Sequence, residues 1–242
     1  MKKRWKYGGI ALLVLFALNV FVFFVYNRPP DRALFLDPIT HFETDEKVVA
    51  LTFDDGPTKE WTLPLLDLLA KQDVKATFFM TGDQIVENRE VAQRLVEVGH
   101  QAGNHTLHHD RMIYKSPQYI KDDLREMDGL FNELGVEDTS LFRPPYGDKM
   151  VVLPLILKRQ ERKLVTWDID PQEQYAPSYK GELIVEQIMA DAHPGGIILL
   201  HDGRRSDPST FLKVVDEVIT KLKEQGYRFV TVSEGLQLGS AR

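Results

Sequence analysis

Seven short apolar runs, rich in β-branched and aromatic residues, take turns with longer amphipathic stretches along this chain. The runs are "KVVALTFDD", "VKATFFMTG", "GHQAGNH", "TSLFRPPYG", "KLVTWDID", "GIILLHD" and "RFVTVSEG". Between them lie "TLPLLDLLAKQ", "REVAQRLVEVG", "PQYIKDDLREMDGLFNELG", "KGELIVEQIMADA" and "FLKVVDEVITKLKEQG", with apolar residues at three- and four-residue spacing and several stops at glycine. Strand and helix in alternation imply an α/β chain with a parallel sheet covered by helices. Seven repeats within residues 46–242 predict a closed or nearly closed (β/α) barrel of about seven strands, with an open doubly wound sheet as the alternative. No Gly-rich phosphate loop follows the first strand, which argues against the nucleotide-binding form of that alternative. Thr62, just before Leu63-Pro64, is the expected N-cap of the first helix after that strand.

The N-terminus is different in kind. Lys2, Lys3, Arg4 and Lys6 precede an apolar run over 7–26 that only Asn19 interrupts. About twenty such residues in a helix cross the hydrocarbon of a bilayer, and basic residues ahead of the run predict a cytoplasmic start. No small-x-small cleavage pattern follows, because "VYNRPP" is bulky. The expected organisation is a basic segment over 1–6, a single-pass transmembrane signal anchor over 7–26, a linker over 27–45 and an extracellular domain over 46–242. Residues 1–30 hold five of the 30 basic side chains and none of the 36 acidic ones, so the remainder carries about −11. Such a domain lacks the basic stripe that nucleic acid requires. There is no cysteine, so neither a disulfide nor a thiolate ligand enters the argument.

Titratable residues gather at the C-terminal ends of the strand-like runs: Asp54-Asp55, His105, Arg143, Asp170 and His201. In parallel α/β folds those ends share one face, where active sites form. In "HTLHHD" the spacings His105/His108 and His105/His109 each set two imidazoles on one face of a helical turn, close enough to share a cation. One carboxylate from Asp54-Asp55 completes a two-histidine, one-carboxylate set that leaves positions open for water and substrate. The other is then free to act as a base, with Arg143 to orient it. "FRPPYG" is a rigid turn able to aim the Tyr146 N–H at a developing oxyanion. Asp168 and Asp170 alternate with Ile169 and share a side, and His201 is suited to protonate a leaving amine when paired with a carboxylate such as Asp170.

From about Lys47 to Leu236 the chain resembles the polysaccharide deacetylases, carbohydrate esterase family four, related to nodulation-type chitooligosaccharide deacetylases. "TFDDGP", "HTLHH", "RPPYG", "WDIDP", "LLHD" and "GYRFVTVSE" carry the resemblance in order. It implies a distorted (β/α) barrel and metal-dependent removal of N-acetyl groups from an amino-sugar polymer. By that resemblance Asp54 is the base, and Asp55, His105 and His109 bind one divalent metal. Zinc is the first expectation, with cobalt, nickel and iron also fitting the ligands. Thr106 fills a supporting hydroxyl position, Arg143 holds Asp54, and Tyr146 offers its N–H. Pro144 and Pro145 shape the groove, Leu199 lines the acetyl pocket, and His201 is the acid tuned by Asp170. The sequence departs from the family after "WDID", where Glu173 and Gln174 replace an expected Asp-Trp pair and Tyr175 supplies an aromatic wall one residue late. An outward-facing, membrane-anchored monomer acting on the N-acetylglucosamine of peptidoglycan is the expected whole. Chitin oligomers, poly-N-acetylglucosamine, acetylxylan and a catalytically silent wall-binding role are the alternatives.

Overall fold

"VVALTFD" is apolar on both faces, and it folds where both faces are covered. This is strand β1 (Val48–Asp54), all seven residues of which are buried. In the computed structural model, which describes residues 2–172, 181–203 and 207–240 (side chains of 2–9, 11, 114 and 240 excepted), the other strands are all parallel to their neighbours. They are β2 (Thr77–Met80), β3 (Gln101–Asn104), β4 (Leu141–Phe142), β5 (Lys163–Leu164), β6 (Ile197–His201) and β7 (Arg228–Phe229). The order is β5-β4-β3-β2-β1-β6, and β7 pairs with the start of β1.

The sheet curls into a half-barrel whose two edges are stitched together. Just beyond β5, Ile169 donates its N–H to Ile197 and accepts from Leu199, forming a bridge to β6. The alternation thus yields a curled parallel half-barrel bridged at its edges, less closed than the barrel expected and not an open doubly wound sheet. Helices α2 (Thr62–Lys71), α3 (Gly82–Glu87), α4 (Arg89–Glu97), α5 (Pro117–Glu133), α6 (Val152–Arg159), α7 (Gly181–Asp191), α8 (Pro208–Glu224) and α9 (Val232–Ser240) connect and cover the strands, after an N-terminal α1 (Lys2–Val22). Ser116 and Asp207 cap α5 and α8 by accepting the N–H of Tyr119 and Thr210, each with proline opening the helix. Thr62 is not the expected cap. It lies inside α2, where its hydroxyl accepts from the Thr58 N–H and donates to Asp202 Oδ2.

Of three apolar clusters, two divide the side chains of β1 by period two. Val49, Leu51 and Phe53 of β1 face the helices with Phe78, Phe131, Ile198, Leu200 and Phe211. Val48 and Ala50 face the barrel interior with Phe79, Leu141, Val165 and Ile197. Continuing the alternation puts Thr52 and Asp54, Leu199 and His201, and Arg143 on the inner face at the C-terminal mouth. The bottom is closed by Phe42, packed against Gly195; a Cβ on that glycine would lie 2.2 Å from the Phe42 carbonyl oxygen.

The transmembrane span over 7–26 is not supported. Among the described residues no helix is long and apolar enough to cross a membrane. α1 covers most of the run and passes directly into a π-helical turn, Phe23–Asn27. Nor is the stretch expected as a linker slack: Ile39 bridges Val165, and Thr166 Oγ1 donates to the Pro30 carbonyl.

The loop after β3 leans on Asp123 of α5, a buried carboxyl that accepts the Leu107 N–H at 2.9 Å. Burial pushes its pKa up to about 6, and the Leu107 hydrogen bond only partly opposes this. The folded state thus holds this proton up to about pH 6, while the unfolded chain releases it near ~3.9. Stability from this group is full below ~3.9 and is lost as pH rises through about 6. Asp123→Asn keeps an acceptor without the charge. Denaturant unfolding across pH 4–8 should show it gaining about 2–3 kcal/mol on the parent protein as pH rises; parallel profiles would refute the assignment.

Candidate active site

At the mouth of the barrel, three ligand atoms converge. One from each of Asp55, His105 and His109 all lie within 4.8 Å of one another, with Asp55 Oδ1 3.5 Å from His105 Nε2 and 3.1 Å from His109 Nε2. His105 Nδ1 lies 2.8 Å from the carbonyl of Arg143. A carbonyl only accepts, so Nδ1 carries a proton, and Nε2 is the nitrogen turned toward Asp55. Burial raises the Asp55 carboxyl, but the imidazoles of His105 and His109 outweigh it and hold the group far below the usual carboxylate range. One carboxylate and two imidazoles are a donor set that suits a divalent cation, so the residues present fit the metal implied by the resemblance.

The loop 105–110 is not helical, contrary to the reading of its three- and four-residue spacings. Thr106 and His109 adopt left-handed φ of 71° and 55°, and these turns fold His109 back over His105 with ring centroids 5.0 Å apart. His108 points the other way, with Nδ1 2.9 Å from Asp83. Thr106 is buried under the site, its N–H donating to Asn104 Oδ1.

Asp54 and Asp55 are separated by the same device. Asp54 is the last residue of β1, whereas Asp55 leaves the strand at φ 76°. Both carboxylates can therefore face His105, Asp54 Oδ2 standing 3.8 Å from its Nε2. Gly56 follows because nothing larger fits: a Cβ there would come within 2.3 Å of the Asp202 carboxylate. Arg143, fully buried, donates from one nitrogen to Asp54 Oδ1 at 2.7 Å and to Thr52 Oγ1 at 2.8 Å. Its other terminal nitrogen donates to the Thr166 carbonyl at 2.9 Å.

A cavity of about 300 Å³ opens above this pair, lined in part by Asp54, His105, His109, Pro144, Tyr146, Trp167, Asp168, Asp170, Leu199 and His201. Asp54 and His201 are register partners on β1 and β6, which places the expected base and acid side by side. Asp170 reaches the cavity with His201, and its Oδ1 also accepts the Gln172 N–H. Asp168 instead turns one oxygen to His193 Nε2 at 2.9 Å. Tyr146, at φ 60°, sets its ring edge-on to His109 at 4.9 Å, while the Arg111 guanidinium lies 3.9 Å above it. Pro145 is buried behind this wall rather than on it. Glu173, Gln174 and Tyr175 lie outside the described residues.

Sequence reasoning passed over several residues of this site. Trp167 stood inside a quoted motif without a role, and Asp202 followed His201 unremarked. Asp202 is buried, accepts from the Thr62 hydroxyl at 2.5 Å, and is pushed up to about 7 by burial. Asn27, Arg28 and Pro30 also line the cavity, and nothing in their composition announces it.

The polysaccharide deacetylase family model matches residues 41–165. A peptidoglycan-N-acetylglucosamine deacetylase of Bacillus cereus is 37% identical over 196 residues, covering 80% of this chain and 90% of the relative. A solved peptidoglycan N-acetylglucosamine deacetylase in complex with 4-naphthalen-1-yl-N-oxidanyl-benzamide has a TM-score of 0.77 at 29% identity, over 82% of this chain and 92% of its own. A pseudoenzyme of carbohydrate esterase family four from Bacillus anthracis has a TM-score of 0.74 at 30% identity, over 83% and 69%. With this fold, this arrangement of side chains and these relatives, the chain belongs to the polysaccharide deacetylase family.

Proposed function

We propose that the chain is a metal-dependent hydrolase that removes N-acetyl groups from the N-acetylglucosamine of peptidoglycan. The observation that carries this reading is the convergence of Asp55, His105 and His109 beside an Asp54–Arg143 pair in one cavity. A divalent cation, zinc first, bound by those three residues would supply positive charge beside the acetyl oxygen and make a water acidic near neutral pH.

The chain's own groups perform the remaining steps. Asp54, held in place by Arg143, takes a proton from the attacking water as its oxygen bonds to the acetyl carbon. The carbonyl electron pair moves to oxygen, and the backbone N–H of Tyr146, in a turn fastened by the Gly147 N–H to Pro144, donates to it. His201 protonates the sugar nitrogen as the C–N bond breaks, so acetate and a free amine leave. Leu199, on the same inner face, packs the acetyl methyl.

The solved pseudoenzyme makes a silent wall-binding protein the second reading. The presence and convergence of Asp54, Asp55, His105 and His109 favour catalysis. The reading also holds that the domain is a monomer outside the cell, tethered through 7–26, on the strength of the basic head and apolar run.

Chelation should abolish acetate release from peptidoglycan, and added zinc should restore it. Asp54→Asn should retain bound metal by elemental analysis while acetate release falls by roughly 10²- to 10⁴-fold; full activity would remove Asp54 from the role of base. Arg143→Ala leaves Asp54 buried without its counter-charge, and should cost about 3–5 kcal/mol in denaturant unfolding. If the N-terminal run is an anchor, the full chain should stay with membranes through alkaline carbonate washing, and release into the wash would refute the tether.

A further inference from the structure

Residues 27–30 sit in the stretch expected to be a linker, yet they are built into the cavity wall. Asn27 is only 1% exposed. Its Nδ2 donates to Asp148 Oδ1 at 2.7 Å, and its Oδ1 accepts the N–H groups of Lys149 and Met150 at 2.6 and 2.8 Å. The buried Lys149 ammonium donates to the carbonyls of Asn27, Pro29 and Gly147 at 3.3, 3.0 and 2.9 Å. Pro30 is held in turn through its carbonyl by the Thr166 hydroxyl at 3.0 Å. One end of the segment is thus tied to the turn that carries Tyr146 and Gly147, and the other to the chain leaving β5.

Arg28 lies between these fastened residues, exposed, on the cavity that Asp54, His109 and His201 also line. The other two cations on that wall are engaged. Arg111 pairs with Asp148, and the Lys149 ammonium is shared among its three carbonyls. Among the described residues Arg28 has no ion pair. A guanidinium held on a fixed backbone with its fork of donors unused matches a carboxylate. The domain beyond residue 30 carries about −11, so general attraction does not gather an anionic polymer, and any recognition of acid must be local.

We infer that Asn27–Pro30 forms a wall of the sugar-binding groove, and that Arg28 on it binds a carboxylate of the polymer next to the acetylated sugar. The inference rests on the deacetylase reading and narrows it to carboxylate-bearing amino-sugar polymers in preference to neutral ones. In peptidoglycan that carboxylate has two sources, the lactyl ether of a peptide-free muramic acid and the peptide stem.

The test uses the full chain, as wild type, Arg28→Ala and Arg28→Lys, on four substrates of matched length. They are neutral chitopentaose, a peptide-free peptidoglycan glycan, the same glycan with its lactyl carboxylates converted to amides, and a stem-bearing glycan. Arg28→Ala should raise KM about 3- to 10-fold on a carboxylate-bearing glycan with kcat unchanged. It should leave chitopentaose and the amide unaffected, and Arg28→Lys should recover part of the loss. An effect on the peptide-free glycan that disappears in its amide assigns the lactyl group, and one confined to the stem-bearing glycan assigns the stem. Equal change on all four substrates, or none on any, overturns the inference. If the wild type releases no acetate from any of them, the deacetylase reading falls instead. Calorimetric titration of the two carboxylate-bearing glycans then still decides the role of Arg28, since equal affinity of wild type and Arg28→Ala for both would overturn it.

Discussion

The buried guanidinium of Arg143 is the interaction on which the rest of the site depends. It bonds to Thr52 and Asp54 of β1 and to the Thr166 carbonyl beyond β5, while its own carbonyl orients His105 after β3. It lies 4.0 Å from the Phe79 ring and 5.6 Å from Trp167. Removing such a charge from water is costly, and burial lowers the Arg143 pKa against the opposing pull of Asp54. The Arg143–Asp54 pair and the closure of the barrel mouth therefore support each other. A carboxylate held in this way keeps its orientation at the expense of a charge pair that the fold cannot release.

Around that pair the backbone does what side-chain length alone cannot. Asp55, Thr106, His109 and Tyr146 all adopt left-handed φ although none is glycine. Each such residue costs on the order of 1 kcal/mol or more. The surroundings hold them there: Asn104 accepts from Thr106, Asp123 accepts from Leu107, and Asp202 presses against Gly56. Two neighbouring aspartates can face one histidine only because the second begins a turn as the first ends a strand. The strain and the convergence of ligands have the same origin.

What could be read from the residues was whatever repeats or clusters. The alternation marked β1, α5, α8 and the barrel, because period two and period 3.6 are written in the apolar pattern. The strand-end motifs marked Asp54, Asp55, His105, His109, Arg143 and His201, which the structure brings to one mouth. The histidine spacing suggested a helical turn, but left-handed residues made a loop, and φ is not legible in "HTLHHD". Thr62 resembled a cap by position, yet a buried carboxylate distant in sequence, Asp202, claimed its hydroxyl. α6 and α9 carry weaker patterns, and α9 begins inside a run that read as strand. Asn27 gave no signal because its partners, Asp148, Lys149 and Met150, lie more than a hundred residues away, and a single arginine such as Arg28 carries no pattern.

A freely jointed stretch over 27–45 would let the domain sample a shell some tens of ångströms deep around its tether. The structure removes much of that freedom at the outset, since Asn27 and Pro30 are fastened to the barrel and Ile39 pairs beside β5. If the N-terminal run does anchor the chain, the groove cannot swing independently of the point where α1 and its π-helical turn end. The polymer would then have to be met within a short distance of that point. In that case a wall contributed by the residues directly after the helix would couple where the chain is held to what it can bind. That coupling would favour glycan near the membrane surface over the outer layers of a thick wall.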